Sequence, residues 1–167
     1  MTKEEIKEME KTIYIPGDLV MTNGIPIGTK KGIVYQVTES NADKYAKVEY
    51  GDVITELKGS VTLSNIKGKT VHDEGFLFGD CGAWVKDIVP IPLTSDILEN
   101  NGWKLTTNLD QANLRVFTYK KNSLCIEKTF YTGKFLFICN DQGIRLEYVS
   151  DLQHILFGFK QNSEMEV

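Results

Sequence analysis

The segment Gly79-Asp80-Cys81-Gly82 holds the residues best suited to covalent chemistry. A cysteine can act as a nucleophile when a neighbouring base activates it, and flanking glycines let two backbone N–H groups turn toward an oxyanion. The chain contains two histidines that could supply such a base, His72 and His154. The first question is therefore whether Cys81 is a catalytic nucleophile.

The sequence from Gly79 to Val85 resembles the nucleophile loop of chymotrypsin-like proteases, whose viral variants carry cysteine at the nucleophile position. That family places its base far upstream, on a separate barrel. Here His72 is only nine residues before Cys81, His154 follows it, and 167 residues are too few for two six-stranded barrels. A motif without its structural context favours a plain turn that enters the strand Trp84–Val89. A cysteine peptidase using Cys81 is therefore the weakest of three functional hypotheses.

A second cluster, His72-Asp73-Glu74, has residue types that bind metals or transfer protons. A metal site needs further ligands that converge on the ion, and the nearest cysteine is Cys81. A polar loop between strands accounts for the cluster more simply. The chain also lacks both standard phosphate-binding glycine loops. We therefore expect no catalytic residue, no metal site and no cofactor.

Two basic turns, Lys30-Lys31 and Lys120-Lys121, give a nucleic-acid hypothesis. Aromatic residues near lysines can stack on bases. The formal net charge is -4, whereas a general nucleic-acid binder needs an excess of basic residues to displace counterions. Solvated lysines and core aromatics are favoured, and nucleic-acid binding by a small barrel is kept as the second hypothesis. The aromatics that could take part are Tyr35, Trp84, Trp103, Phe117 and Tyr119.

The elements that would position these residues are divided by the segment Ile88-Val89-Pro90-Ile91-Pro92-Leu93-Thr94-Ser95-Asp96. The two prolines fix φ and favour extended backbone at the residues before them. The three residues Thr94, Ser95 and Asp96 are typical of a helix start. The sequence predicts a tail or short helix over residues 1–11, a β-barrel unit over 12–89, an α+β unit over 90–159 and a tail over 160–167.

The first unit is predicted to be all-β, because short apolar or alternating runs recur between turn residues. Their order resembles that of an SH3-like small barrel. The interval from Thr38 to Phe78 is long for such a barrel, which predicts an insertion or an extra hairpin. The predicted strands are Thr12–Ile15, Asp18–Met21, Gly32–Val37, Lys47–Tyr50, Val53–Leu57, Ser60–Leu63 and Ala83–Val89.

The second unit is predicted to consist of a helix, an antiparallel β-meander and a closing helix. The first helix ends at Gly102, a residue type that adopts the left-handed conformation readily. The closing helix has an apolar stripe that includes Leu152 and Leu156, with Asp151 and Gln153 outside it. We expect this stripe to pack on the sheet face formed by Leu124, Ile126, Ile144 and Leu146. The fold class is therefore α+β and mainly β.

Three motifs in the second unit carry a family resemblance. They are Pro90-Ile91-Pro92-Leu93-Thr94, the helix end Ile97-Leu98-Glu99-Asn100-Asn101-Gly102-Trp103, and Tyr148-Val149-Ser150-Asp151-Leu152-Gln153. The chain resembles small proteins common in Bacteroidetes and their bacteriophages, including crAss-like phages, which pair a small SH3-like barrel with such a unit. The first unit is longer here and contains the Cys81 segment. The resemblance implies a fold and an origin, and it implies no catalytic residues.

Composition bounds the cellular setting. Hydrophobic residues make up 41% and charged residues 25% of the chain, which is ordinary for a packed domain. The odd, scattered set Cys81, Cys125 and Cys139 favours a reducing compartment over a disulfide scaffold. No signal peptide or membrane-spanning run is expected. With the resemblance, this predicts a location in the bacterial host cytoplasm or the virion.

The leading hypothesis is a non-enzymatic, phage-type accessory protein that acts as a protein–protein interaction or structural module. The sequence shows no nucleophile–base pair. We expect a protein partner or self-assembly, and we expect the protein to bind neither nucleic acid nor a membrane. The strand Phe135-Leu136-Phe137-Ile138 is apolar on both faces, which is typical of burial between layers. The interface candidates are Trp84, Trp103, Leu152 and Leu156.

Overall fold

The computed structural model describes residues 13–111 and 114–167. The chain divides into two compact units, the first ending at Val89 and the second spanning Pro90–Val167. The described residues form two antiparallel five-stranded sheets and a few short helices, so the predicted mainly β, α+β class is confirmed. The predicted N-terminal tail or helix, residues 1–11, lies outside the described residues.

The sheet of the first unit has the strand order β4-β3-β2-β1-β5. A three-residue 3-10 helix, Val85–Asp87, joins its two edge strands, β4 and β5. Four strand spacings of about 4.8 Å would separate the edges of a flat sheet by about 19 Å. Four residues of extended chain reach only about 14 Å, so this sheet must curl. The strands are β1 (Leu19–Thr22), β2 (Tyr35–Tyr50), β3 (Val53–Asn65), β4 (Cys81–Trp84) and β5 (Ile88–Pro90).

The curled sheet remains open. In the part of the chain that the structure describes, no pairing joins β4 to β5, so the predicted closed barrel is not confirmed. Four predicted strands between Gly32 and Leu63 are in fact parts of two long strands, β2 and β3. The predicted strand Thr12–Ile15 is wrong for its described part. The Ile15 N–H donates instead to the Asp18 carboxylate at 2.8 Å, in the turn at Gly17.

The core of the first unit lies against the inward side of this sheet. Tyr35 is fully buried, and its hydroxyl accepts a hydrogen bond from the Lys30 N–H and donates one to the Gly75 carbonyl. These two bonds fasten the β1–β2 and β3–β4 loops to the start of β2. The buried core residues are Tyr14, Val20, Tyr35, Val37, Val61, Leu63, Leu77, Ala83 and Ile88.

The second unit has a meander sheet in the order β10-β9-β8-β7-β6, preceded and followed by a helix. The segment from Ile91 to Leu93 lies beside the start of the closing helix, since Leu93 N–H donates to Glu147 and Val149 N–H donates to Ile91. The elements are α1 (Ser95–Asn100), β6 (Lys104–Gln111), β7 (Leu114–Lys121), β8 (Leu124–Thr129), β9 (Phe135–Cys139), β10 (Gln142–Leu146) and α2 (Val149–Gly158).

Local sequence signals account for the ends of these elements. The Thr94 side chain accepts the Ile97 N–H at 3.2 Å and caps α1, and Gly102 follows with φ of +81°, as the sequence predicted. Asn140 and Asp141 both have positive φ, which suits the two-residue turn between β9 and β10. Interactions between residues a few positions apart therefore determine where these helices and turns begin and end.

The apolar stripe of α2 is buried, with Leu152 and Leu156 exposed by 0% and 3%. Of the predicted seat, Ile126 and Leu146 are buried, Leu124 is half-buried and Ile144 is 46% exposed. Ile126 and Ile144 both pair with Phe137, whose ring lies 5.6 Å from that of Phe159 at the end of α2. One detail of the prediction is wrong. Gln153 is buried rather than outside the stripe, because its side-chain amide donates to the Ser163 carbonyl at 3.1 Å.

The C-terminal segment, predicted to be a tail, is held by a pair of hydrogen bonds to Asn101. The Asn101 side chain donates to the Glu166 carbonyl at 2.7 Å and accepts the Glu166 N–H at 2.8 Å. An asparagine amide can make both bonds at once, as a backbone peptide group does in a sheet. The residue that ends α1 therefore also anchors the last residues of the second unit.

Candidate functional site

The β2–β3 hairpin extends well beyond the sheet to which it belongs. Strand β1 pairs with the first residues of β2, and β4 pairs with β3 only over Ser60 to Leu63. Beyond these contacts the two strands pair with each other alone, from Tyr45–Lys58 to Tyr50–Val53. We call residues 45–58 the arm. It fills the interval in which the sequence predicted an insertion.

The tip of the arm is a two-residue turn, Gly51-Asp52. Gly51 has φ of +61°, and a glycine in this first position suits the tight turns that match the twist of a hairpin. At the other end, residues 42–44 form a bulge in β2 opposite Gly59 of β3. Gly59 has φ of +68°, and a Cβ there would lie 3.0 Å from Val85 Cγ2. Glycine is therefore required where the arm leaves the sheet.

The turn fixes which side chains share a face of the arm, because directly paired residues point to the same side. One face carries charged residues, with Lys47 3.2 Å from Glu49 and Lys58 3.9 Å from Glu56. The opposite face, which we call the uncharged face, has no ionisable group other than a tyrosine hydroxyl. It consists of the pairs Ala46–Leu57, Val48–Thr55 and Tyr50–Val53.

The uncharged face is exposed although its composition is that of a core. Tyr50 is 87% exposed, Val53 63% and Val48 48%, and only Leu57 is buried. Alternation along β3 places these residues on the same side of the strand as Val61, whose side chain is in the core. The inward side of β3 thus continues outward along the arm, where no other described element covers it. Contiguous exposed apolar residues mark interaction surfaces.

The two basic turns lie in different units, and two of their four lysines form contacts there. Lys30 forms an ion pair with Glu74, and this hydrogen bond lowers the pKa of the Glu74 carboxyl. Lys121 donates to the Asn101 carbonyl at 2.9 Å. Lys31 and Lys120 are exposed, one in each unit. Two of the four candidate lysines therefore already serve contacts within their own units.

Cys81 lies at the start of β4, opposite Leu63, rather than on a nucleophile turn. Its thiol donates to the Ile27 carbonyl at 3.1 Å and approaches the Gly82 carbonyl at 3.7 Å. Burial raises the pKa of the Cys81 thiol. A protonated thiol bonded to carbonyl groups is the opposite of an activated nucleophile.

We expect Cys81 to react slowly with a thiol reagent at neutral pH. Its raised pKa leaves less thiolate at pH 7 than an exposed cysteine has, so the rate should be low and should climb only as the pH rises toward that pKa. The measurement is the rate of disulfide exchange with an aromatic disulfide in the folded and the urea-unfolded protein. Variants that retain only Cys81 or only Cys139 assign the signal. Faster reaction in the folded state would support the peptidase hypothesis instead.

The His72-Asp73-Glu74 cluster is a hydrogen-bonded loop. Asp73 accepts the Thr70 N–H at 2.8 Å, and Glu74 pairs with Lys30. His72 is exposed. Within residues 13–111 and 114–167, no three His, Cys, Asp or Glu side chains are grouped to hold a metal ion.

Most of the interface candidates from the sequence are core residues. Trp103 is 2% exposed, and Leu152 and Leu156 are also buried within the second unit, so these three cannot meet a partner without unfolding. Trp84 is half-buried, with Lys44 Nζ 5.3 Å from its ring centroid. The uncharged face was not among the predicted interfaces, although the alternation of apolar and charged residues on both sides of Gly51-Asp52 signals it in the sequence.

Comparison with protein-family models, with curated proteins and with solved structures finds no match. Among the described residues, no helix has the length and apolar character needed to cross a lipid bilayer. The arm is thus identified by its own geometry and composition, without support from a relative.

Proposed function

We propose that this protein is a non-enzymatic protein–protein interaction module that binds its partner through the uncharged face of the arm. The observation that carries the proposal is the exposure of Tyr50, Val53 and Val48 on one face of a projecting hairpin. Fully burying such a side chain stabilises a complex by roughly 1.5–3 kcal/mol before the costs of association. Tyrosine is also among the residue types enriched at binding hot spots.

The chemistry of the remaining candidates supports a role without catalysis. The Cys81 thiol donates to a carbonyl group, and its pKa is raised rather than lowered. The acidic residues beside His72 are engaged by a backbone N–H and by a lysine. A hairpin that is already paired in the free protein suits recognition, because less backbone ordering is left to pay for when it binds.

We further propose that the first unit belongs to the SH3-like class. The order β4-β3-β2-β1-β5, with a 3-10 helix leading from β4 into β5, supports this. The family resemblance in the second unit supports a phage-type accessory role, in the bacterial host cytoplasm or the virion. In this proposal the arm is an addition to a small common scaffold, and it carries the specificity.

The experiment compares three immobilised baits in an extract of native or infected cells. They are the wild type, the arm variant Tyr50→Ser with Val53→Ser, and a control, Lys47→Ser with Glu56→Ser, on the charged face of the same strands. We expect the wild type and the control to retain the same partner and the arm variant to lose it. The retained protein is then purified and titrated against each bait.

We expect the arm variant to bind the purified partner at least about tenfold more weakly, which corresponds to about 1.4 kcal/mol. Circular dichroism and thermal unfolding of both variants verify that the fold is intact. Equal affinity of the arm variant and the wild type would refute the proposal. So would a control variant that loses the partner as completely as the arm variant does.

A further inference from the structure

We propose that the arm binds a second copy of this chain, at a patch of apolar loop residues at the opposite end of the first unit. The inference rests on the proposed function and names the partner. We call the receiving surface the loop patch, and the contact is head-to-tail, since two different surfaces meet. The loop patch consists of Ile25, Ile27, Phe76 and Phe78.

Three of the four loop-patch residues are strongly exposed, Phe76 is half-buried, and the patch is held in place. Ile27 is 93% exposed, Phe78 88% and Ile25 69%, and the Phe76 and Phe78 rings pack edge to face at 5.6 Å between centroids. The Cys81 thiol bonds to the Ile27 carbonyl, which joins the β1–β2 loop to the start of β4. The two loops therefore present their apolar side chains from a connected base.

The loop patch and the arm tip lie at opposite ends of the hairpin. Tyr35 pairs with Asn65 where β2 begins and β3 ends, directly beside the two loops. Strand β3 has 13 residues, and at about 3.3 Å per residue it spans about 40 Å. A hairpin of this length cannot fold back onto its own base. The arm of one molecule can reach a loop patch only on another molecule.

Charge favours this contact over packing of two arm tips. The turn at the tip carries Asp52, whereas Glu49 beside it is paired with Lys47 at 3.2 Å, so two tips side by side would bring the two Asp52 carboxylates together. The two loops that form the loop patch also contain Lys31, Lys67 and Lys69.

The acidic groups of these loops offset most of the lysines. Glu74 pairs with Lys30, while Asp73, which accepts the Thr70 N–H, and Asp80 keep their negative charges, so the two loops together carry one net positive charge. An apolar face beside the acidic Asp52 turn thus complements an apolar patch whose loops are slightly positive.

The size of the surfaces sets the expected strength and form of the assembly. The uncharged face contributes six residues, whereas a standard interface has about 20–30 residues on each side. One contact should therefore be weak and reversible. Because each molecule has one arm and one loop patch, head-to-tail contacts continue from copy to copy into rings or filaments.

The test is sedimentation velocity across the micromolar concentration range. We expect the wild type to grow beyond a dimer as its concentration rises. The arm variant Tyr50→Ser with Val53→Ser and a loop variant, Ile27→Ser with Phe78→Ser, should each stay monomeric, with association weakened at least about tenfold. The charged-face control, Lys47→Ser with Glu56→Ser, should assemble as the wild type does.

Mixing the two defective variants provides the decisive measurement. The loop variant keeps a working arm and the arm variant keeps a working loop patch, so an equimolar mixture should form a heterodimer that grows no further. A loop variant that dimerises alone would mean that arms pair with arms, and an arm variant that dimerises alone would mean that loop patches pair. Either result overturns the proposal.

A wild type that stays monomeric throughout the range would also overturn self-association. That outcome leaves the proposed function intact, because a different protein can still bind the arm and is detected by the bait experiment. If the folded wild type neither self-associated nor bound any partner through the arm, both proposals would be refuted. Thermal unfolding of every variant verifies that a lost contact is not a lost fold.

Discussion

Replacing Leu152 with alanine is expected to destabilise the second unit by about 2–5 kcal/mol, the usual range for truncating a buried leucine. Leu152 is 0% exposed and lies in the stripe of α2 with Val149 and Leu156. A helix of ten residues is marginal in water by itself, so packing of this stripe must hold it. Loss of the leucine leaves a cavity that the surrounding core fills only in part. Urea unfolding at two protein concentrations measures the change.

The control is Phe157→Ala on the same helix, where the side chain is 66% exposed. Truncation there should alter the free energy of unfolding by less than about 0.5 kcal/mol, as at an ordinary surface position. Equal losses in the two variants would contradict the core placement of Leu152. A loss for Leu152→Ala that depended on protein concentration would mean that unfolding is coupled to dissociation of an assembly, and that the change does not report core packing alone.

Gly75→Ala is expected to destabilise the first unit by about 2–5 kcal/mol. Gly75 has φ of +74°, which costs an alanine roughly 1–2 kcal/mol, and crowding of a packed site adds roughly 1–3 kcal/mol. A Cβ at this position would lie 2.7 Å from the Tyr35 hydroxyl and 3.1 Å from Ile33 Cγ1. Tyr35 cannot retreat easily, because its ring is fully buried in the core.

Gly68→Ala separates the two contributions to the Gly75 effect. Gly68 has φ of +94° in the same loop, and a Cβ there would meet nothing within 4 Å. Its alanine variant should lose only the backbone part, so the difference between the two variants measures the crowding at Tyr35. Denaturant midpoints of both variants give the result. If Gly75→Ala were no worse than Gly68→Ala, the loop would not be fastened through Tyr35.

The second unit was largely predictable because its signals are local. Cap residues, a glycine after α1 and turn asparagines act within a few positions, and the i, i+3, i+7 stripe of α2 reads directly as a buried face. The errors arose from distant contacts. Gln153 is buried because it bonds to Ser163, and Asn101 holds Glu166 far along the chain. No local pattern signals such bonds.

The strands of the first unit were harder to predict, because a β-bulge and a turn have similar sequence signals. The residues around Asp43 and Gly59 look like breaks between short strands, whereas the structure uses them as the bulge within one long hairpin. A glycine inside a strand has either meaning, and only pairing across the sheet decides between them. The 3-10 turn at Val85–Asp87 likewise divides one predicted strand into β4 and β5.

Prediction of the uncharged face from the sequence was limited by the same ambiguity between a bulge and a turn. Once Gly51-Asp52 is known to close a hairpin, alternation places Val48, Tyr50 and Val53 on one side. The interface candidates predicted from the sequence are instead tryptophan and leucine residues, such as Trp103, because large apolar residues are common in interfaces. They dominate cores as well, and burial rather than residue type separates the two cases.

The independence of the arm from the rest of the sheet has a consequence for how such a protein can diverge. The strands next to the hairpin pair only with its base, so the outer residues can be gained or lost without breaking another ladder. Removing two residues from each strand preserves the alternation and keeps the same face apolar, whereas removing one from each reverses the faces. Insertions or deletions of two residues in each strand would therefore change the length of the arm in related proteins, while the rest of the first unit stays the same.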